Sequence, residues 1–240
     1  LKLLERLKRN KEPVRELRWW DIGILTVILF GNAICTSTRG YFANTDTGSF
    51  EGAVEFSAAD NYGAFMLQLI LLLIALFYLW LRNFDFSQWR IHVTPKTTLY
   101  SVGLFAVAAL MMDLYFIVVS YVQIGAYDAV MSAAVPVSLP VIDGSILIYA
   151  LLNGIYEEIY FLGMCLCVNP KKVRGAFLFS LLVRFSFHTY QGMVSAAGIG
   201  LLLGTLYYVL YEKSGRKNLY PFFLSHSIAD VLGAGILFLL

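Results

Sequence analysis

The chain of 240 residues is 59% hydrophobic and only 14% charged, whereas a soluble domain carries about 25% charged residues. That composition excludes an ordinary soluble globular protein and points to the lipid bilayer. The formal charge of +2 comes from Lys and Arg clustered beside apolar runs, with no continuous basic stripe, so it argues for no nucleic-acid partner and reports topology instead.

Counted in spans of roughly 20 apolar residues, the runs at 22–35, 64–81, 100–122, 146–168, 176–188, 194–211 and 222–240 predict an all-α, polytopic transmembrane helix bundle. About seven spans are expected, within a range of six to eight. Before the first run, residues 1–18 hold seven Lys or Arg against three Glu, and Trp19 and Trp20 follow where aromatic rings anchor at the headgroups. The segment 1–20 therefore reads as cytoplasmic, basic and amphipathic. The first span reads as a permanent helix, because 1–35 exceeds the roughly 15–30 residues of a cleaved signal peptide.

The loops then alternate. Residues 36–61 carry Asp46, Glu51, Glu55 and Asp60 against one Arg, and within them 43–60 reads as an exposed loop. Residues 82–96 carry Arg82, Arg90 and Lys96 against Asp85. No Lys or Arg occurs in 123–145 or 188–192, while 169–175 holds Lys171, Lys172 and Arg174, and 212–218 holds Lys213, Arg216 and Lys217. By the positive-inside rule the amino terminus is cytoplasmic and the carboxyl terminus extracytoplasmic, as expected of a multi-pass protein of the cell membrane. Residues 21–144 read as amino-terminal helices and loops with scaffolding roles; Asp113, inside the third span, is an acid that needs a partner.

Residues 145–240 carry the chemistry. Glu157 and Glu158 are the only charged residues in 146–168, and a charged side chain at mid-bilayer costs about 2.5–3.5 kcal/mol even on lenient insertion scales. Successive helical residues point about 100° apart, so the two glutamates are not expected to aim at one point: one faces the chemistry and the other holds structure. Of three histidines, His92 lies in a basic loop and reads as solvated, while His188 and His226 fall in apolar runs. Residues four apart share a helix face, which pairs Arg184 with His188 and His226 with Asp230. Any one such residue reads as packing glue; the set of them, on three spans, marks catalysis, an ion pathway or a proton relay. Cys35, Cys165 and Cys167 lack the spacing of a disulfide framework or a metal motif and read as packing residues.

The segment 146–240 resembles the CPBP, or Abi, intramembrane proteases, the family of the CaaX prenyl endopeptidases. The family's Glu-Glu-x-x-x-Arg, usually followed by Gly, reads Glu157-Glu158-Ile-Tyr-Phe-Leu162-Gly163 here. Its Phe-x-x-x-His appears as Arg184-Phe-Ser-Phe-His188, and its His-x-x-x-Asn or Asp as His226-Ser-Ile-Ala-Asp230. Two positions depart from the pattern: Leu162 stands for the motif Arg, and Arg184 for the motif Phe. Arg184 is expected to supply the missing guanidinium to Glu158 from the neighbouring helix.

The resemblance implies an endopeptidase that hydrolyses a peptide bond of a membrane-associated peptide or protein. A glutamate in a low-dielectric pocket suits general-base work, so Glu157 is expected to activate water, with His188 assisting. His226, oriented by Asp230, is expected to donate to the developing oxyanion. Bacterial relatives suggest pheromone or bacteriocin processing, or self-immunity. No cofactor is expected; the alternative is zinc held by Glu157, His188 and His226 with water in the open position, although the His-Glu-x-x-His spacing of zinc proteases is absent. Two other readings use the same residues. A proton-coupled small-solute transporter would use the acids as a relay, but the inverted repeat common among transporters is not seen. A non-catalytic immunity or interaction protein of the membrane would tolerate Glu157→Gln.

Overall fold

The computed structural model describes residues 8, 12–44, 57–124 and 142–237. Half of the expected basic segment over 1–20, much of the loop expected over 43–60, the connection over 125–141 and the last three residues of the 222–240 run lie outside the described residues.

Each expected apolar run contains a helix: α1 over Trp19–Asn44, α2 over Ala58–Leu81 and α3 over Pro95–Ile124, α4 over Gly144–Met164, α5 over Val173–Phe187, α6 over Met193–Lys213 and α7 over Tyr220–Leu232. Among the described residues, α1, α2, α3, α4 and α6 are long and apolar enough to cross a membrane. The 15 residues of α5 and 13 of α7 reach only about 22 and 20 Å at 1.5 Å per residue, short of a hydrocarbon core about 30 Å thick. The protein is thus an all-α, multi-pass bundle in which, among the described residues, two shorter helices stand beside five of full length.

Local sequence sets the helix limits. Ser57 and Asp60 form a capping box that opens α2, satisfying backbone N–H groups that have no intrahelical partner. Asp143 does the same for α4, accepting from Ser145 N and Ile146 N, and Pro221 sits in the first turn of α7, where its missing N–H costs nothing. Two helices change pitch partway: α4 becomes a π-helix over Ile159–Met164, directly after Glu158, and α6 over Gly198–Leu203.

α4 and α7 lie side by side, with α2 packed on α4 and α3 on α7, while α1 and the centre of α6 pack on α5. The α4–α7 contact is made at Gly154, where a Cβ would lie 2.5 Å from Phe223 O; only glycine lets the backbones come this close. Gly200 does the same between α6 and α5, with a Cβ 2.5 Å from Phe185 Cα. The core is aromatic near α1: the Phe30 ring lies 4.8–5.5 Å from those of Tyr156, Tyr160, Phe161 and Phe187, separations at which offset and edge contacts add to apolar burial.

The segments bearing the basic residues share one end of the bundle. Val14 N bonds Asn83 O at 2.8 Å, Leu17 N bonds Cys167 O at 2.6 Å, and Leu219 N bonds Arg90 O at 2.8 Å. The alternation of basic and non-basic loops therefore has a spatial counterpart. Arg82, read from the sequence as a topology charge, is buried: its Nε donates to Asp21 Oδ1 at 2.7 Å, Tyr78 OH donates to the same oxygen at 2.6 Å, and its guanidinium lies 4.5 Å from the Trp20 ring centroid. Asp113 finds its partners in the segment that follows α7, where Oδ2 accepts from Ile236 N at 2.8 Å and Leu237 N at 2.9 Å.

Candidate active site

Three helices bring the acidic and basic groups together. α4 supplies Asn153, Glu157 and Glu158, α5 supplies Arg184 and leads into His188, and α7 supplies His226 and Asp230. Gly154 sets the distance, because it draws the backbone of α7 at Phe223–Ser227 against α4, which lays His226 over the glutamate pair.

Arg184 Nη2 donates to Glu158 Oε1 at 2.7 Å, with side-chain exposures of 2% and 0%. The guanidinium carbon also lies 4.1 Å from the Phe161 ring centroid, a cation–π contact strengthened by the absence of water. Removing one member of such a buried pair leaves an uncompensated charge, at about 3–5 kcal/mol. The same Glu158 Oε1 accepts from His226 Nδ1 at 2.7 Å, so this nitrogen carries a proton. The other ring nitrogen, Nε2, stands 3.8 Å from Glu157 Oε2 and 3.6 Å from Asp230 Oδ1.

Glu157 and Glu158 face different nitrogens of the His226 ring, Glu158 at 2.7 Å from Nδ1 and Glu157 at 3.8 Å from Nε2, in keeping with the 100° between neighbouring helical residues. One expectation is corrected here. Glu158, not Asp230, makes the hydrogen bond that orients His226. Nδ1 faces α4, and the Asp230 oxygen at 3.6 Å from Nε2 lies beyond hydrogen-bond length.

His188 is buried, and its Nδ1 meets Arg184 O at 2.8 Å. A carbonyl only accepts, so Nδ1 carries the proton and Nε2 of the neutral ring offers a lone pair. Among the described residues, the group close enough to hold a metal ion is Glu157, Glu158 and His226, with ligand atoms within 4.8 Å of one another. His188, expected in that set, is replaced by Glu158. The donors fit an ion poorly: Glu158 Oε1 is already shared by Arg184 and His226, leaving one imidazole nitrogen and carboxylates whose negative charge a guanidinium already offsets. Cys165 and Cys167 are not in that group, and the Cys167 thiol donates to Gly163 O at 2.8 Å.

Glu157 Oε2, Glu158 Oε2 and Arg184 Nη1 are buried without a hydrogen-bond partner. Unsatisfied polar atoms of this kind are rare in folded proteins and point to chemistry or a bound molecule. Sequence reasoning missed Asn153 and Gln68. Asn153 Nδ2 donates to Glu157 Oε1 at 3.2 Å and Asp230 Oδ2 at 2.9 Å, while Gln68 Nε2 donates to Asn153 Oδ1 at 2.6 Å. The signal was the position of Asn153, one helical turn before Glu157.

Residues 143–232 match a family model described as Rce1-like, type II CAAX prenyl endopeptidase Rce1-like; the match runs from the cap of α4 to the end of α7. No curated protein and no solved structure matches the chain.

Proposed function

We propose, from the match of residues 143–232 to the Rce1-like model of type II CAAX prenyl endopeptidases, that this protein is an intramembrane protease of that family, a glutamate-dependent endopeptidase of membrane-associated peptides or proteins. The observation that carries the reading is the free, buried Glu157 Oε2 beside His226 Nε2. Glu157 takes a proton from a water molecule as the water oxygen attacks the scissile carbonyl carbon, and the C=O electrons move to oxygen. His188 Nε2 accepts a hydrogen bond from that water and fixes its direction of attack.

The oxyanion needs a donor. With Nδ1 committed to Glu158, the Nε2 proton of the His226 imidazolium is the one left to give, and such a preorganised donor contributes several kcal/mol where water is excluded. Asp230 stands beside that nitrogen and offsets its charge. When the tetrahedral intermediate collapses, the C–N bond breaks and the departing amine takes the proton held by Glu157, leaving a carboxylic acid and an amine. Glu158 and Arg184 stay fixed throughout as the support for His226. We place the amino terminus in the cytoplasm, from the basic loops gathered at one end, and the protein in the cell membrane. Peptide pheromone or bacteriocin precursors are the substrates we favour.

The test is cleavage of a membrane-embedded peptide by purified protein in detergent. Wild-type protein cleaves and Glu157→Gln does not. A variant as active as the wild type overturns the reading, and Glu157→Gln protein that still confers resistance to a peptide toxin makes it an immunity factor that acts by binding.

A further inference from the structure

Beside the base lies a hydrogen-bonded chain that the hydrolysis described above leaves unused, running from α2 through α4 to α7. Asn153 is 5% exposed and Glu157 4%; they sit one turn apart in the α-helical part of α4, on one face. The amide of Asn153 divides its donors between two carboxylates, Glu157 Oε1 at 3.2 Å and Asp230 Oδ2 at 2.9 Å. Its carbonyl accepts from Gln68 Nε2 at 2.6 Å.

The orientation of an Asn amide is read from its network, and here the network leaves one choice. Turned over, Asn153 would set its carbonyl oxygen against two carboxylates. With the donors facing the acids, Gln68 must present its own NH2 to Asn153, which leaves Gln68 Oε1 as a buried atom without a partner. Gln68 thus leaves its own acceptor unpaired while its amide holds Asn153. The consequence falls on Glu157: with Oε1 tied to Asn153, Oε2 is the oxygen left free, and it is the one that faces His226 Nε2.

We propose that Asn153 is a positioning residue for Glu157: locked by Gln68 of α2, its amide ties down Oε1, separates Glu157 from Asp230, and presents Oε2 for proton transfer. The role in catalysis rests on the protease reading; the tie itself does not. α2, which carries no group that touches the reacting atoms, then contributes to catalysis through a single amide.

Two arms test this. In the first, cleavage of the membrane peptide is measured for wild type, Glu157→Gln, Asn153→Ala, Gln68→Ala and the double variant Asn153→Ala/Gln68→Ala. Asn153→Ala should lower kcat by roughly 10- to 100-fold, the size of a misplaced catalytic group, with KM unchanged. Gln68→Ala should lose less, and the double variant should be no worse than Asn153→Ala, because both act through one contact. Wild-type kcat in Asn153→Ala, or losses that multiply, overturn the proposal. In the second arm, the infrared bands of Glu157, assigned by their disappearance in Glu157→Gln, are compared between wild type and Asn153→Ala. A displaced band supports the tie and an unmoved band overturns it, whether or not the protein cleaves peptides; Thr205→Ala, half-buried on α6 with its hydroxyl donating to Leu201 O of the same helix, is the control that leaves the band in place. Cleavage that survives Glu157→Gln sinks the protease reading, while the infrared arm still decides the role of Asn153.

Discussion

Arg184 of α5 and Glu158 of α4 meet at 2.7 Å across a helix interface, both side chains almost wholly withdrawn from solvent. In the family pattern the guanidinium lies on the same helix as the acid, four residues on, where this chain has Leu162. Moving the cation to α5 turns a bond within one helix into a bond between two, so this pair ties α5 to α4.

Arg184→Ala is therefore expected to abolish activity and to lower stability by about 3–5 kcal/mol, the penalty for a buried charge left alone. Leu162 stands four residues after Glu158 within the π-helical stretch and borders a cavity of about 250 Å³ that Arg15 and Arg216 also line. Adding Leu162→Arg to Arg184→Ala should restore part of both; thermal melting and peptide cleavage read the result, and full activity in Arg184→Ala alone would show that the pair is dispensable.

The two histidines should separate into different phenotypes. His226 bridges to Glu158, so His226→Ala should lower the melting temperature and reduce kcat by about 10²–10³-fold, the scale of one lost oxyanion donor. His188 bonds to the backbone of its own helix, so His188→Ala should slow cleavage with little change in melting. Equal melting losses in the two variants would contradict this division of labour.

Chelation addresses the donor set directly. Because Glu158 Oε1 is shared by Arg184 and His226, cleavage should continue in the presence of a strong zinc chelator. Activity lost to the chelator and recovered with zinc would recast Glu157, Glu158 and His226 as ligands.

Acid should loosen the start of α4. The Ser145 hydroxyl, then the backbone N–H groups of Ile146 and Ser145, hold the Asp143 carboxyl below the usual carboxylate range. A group lowered on folding stabilises above its unfolded value, about 3.9, and that contribution fades as pH falls through the folded value. The melting difference between wild type and Asp143→Asn should be full at neutral pH and shrink below about pH 4; a gap that stays constant from pH 7 to pH 3 would remove Asp143 from the account.

Apolar runs and basic loops made the helices and their alternation legible, because lipid tolerates few other patterns. The charged site residues were legible for the same reason: Glu157, Glu158, Arg184 and Asp230 stand out in hydrocarbon. Asn153 and Gln68 did not, since uncharged amides occur freely as helix glue and only their contacts separate the two roles. Asp21 and Arg82 lie 61 positions apart, so their pairing needed the packing of α1 on α2. The π-helical stretch after Glu158 has no residue-type signature, and the hand-over of His226 from Asp230 to Glu158 depends on how closely α7 approaches Gly154, a distance that four-residue spacing does not encode.

Gly154 and Gly200 hold two seams shut at the level of the main chain, α4 against α7 and α5 against α6. By contrast, Gly23, Gly63 and Gly103 of α1, α2 and α3 have open space where a Cβ would stand. Alanine at Gly23, Gly63 or Gly103 would meet nothing, whereas Gly154→Ala or Gly200→Ala would have to pry its seam open at the main chain.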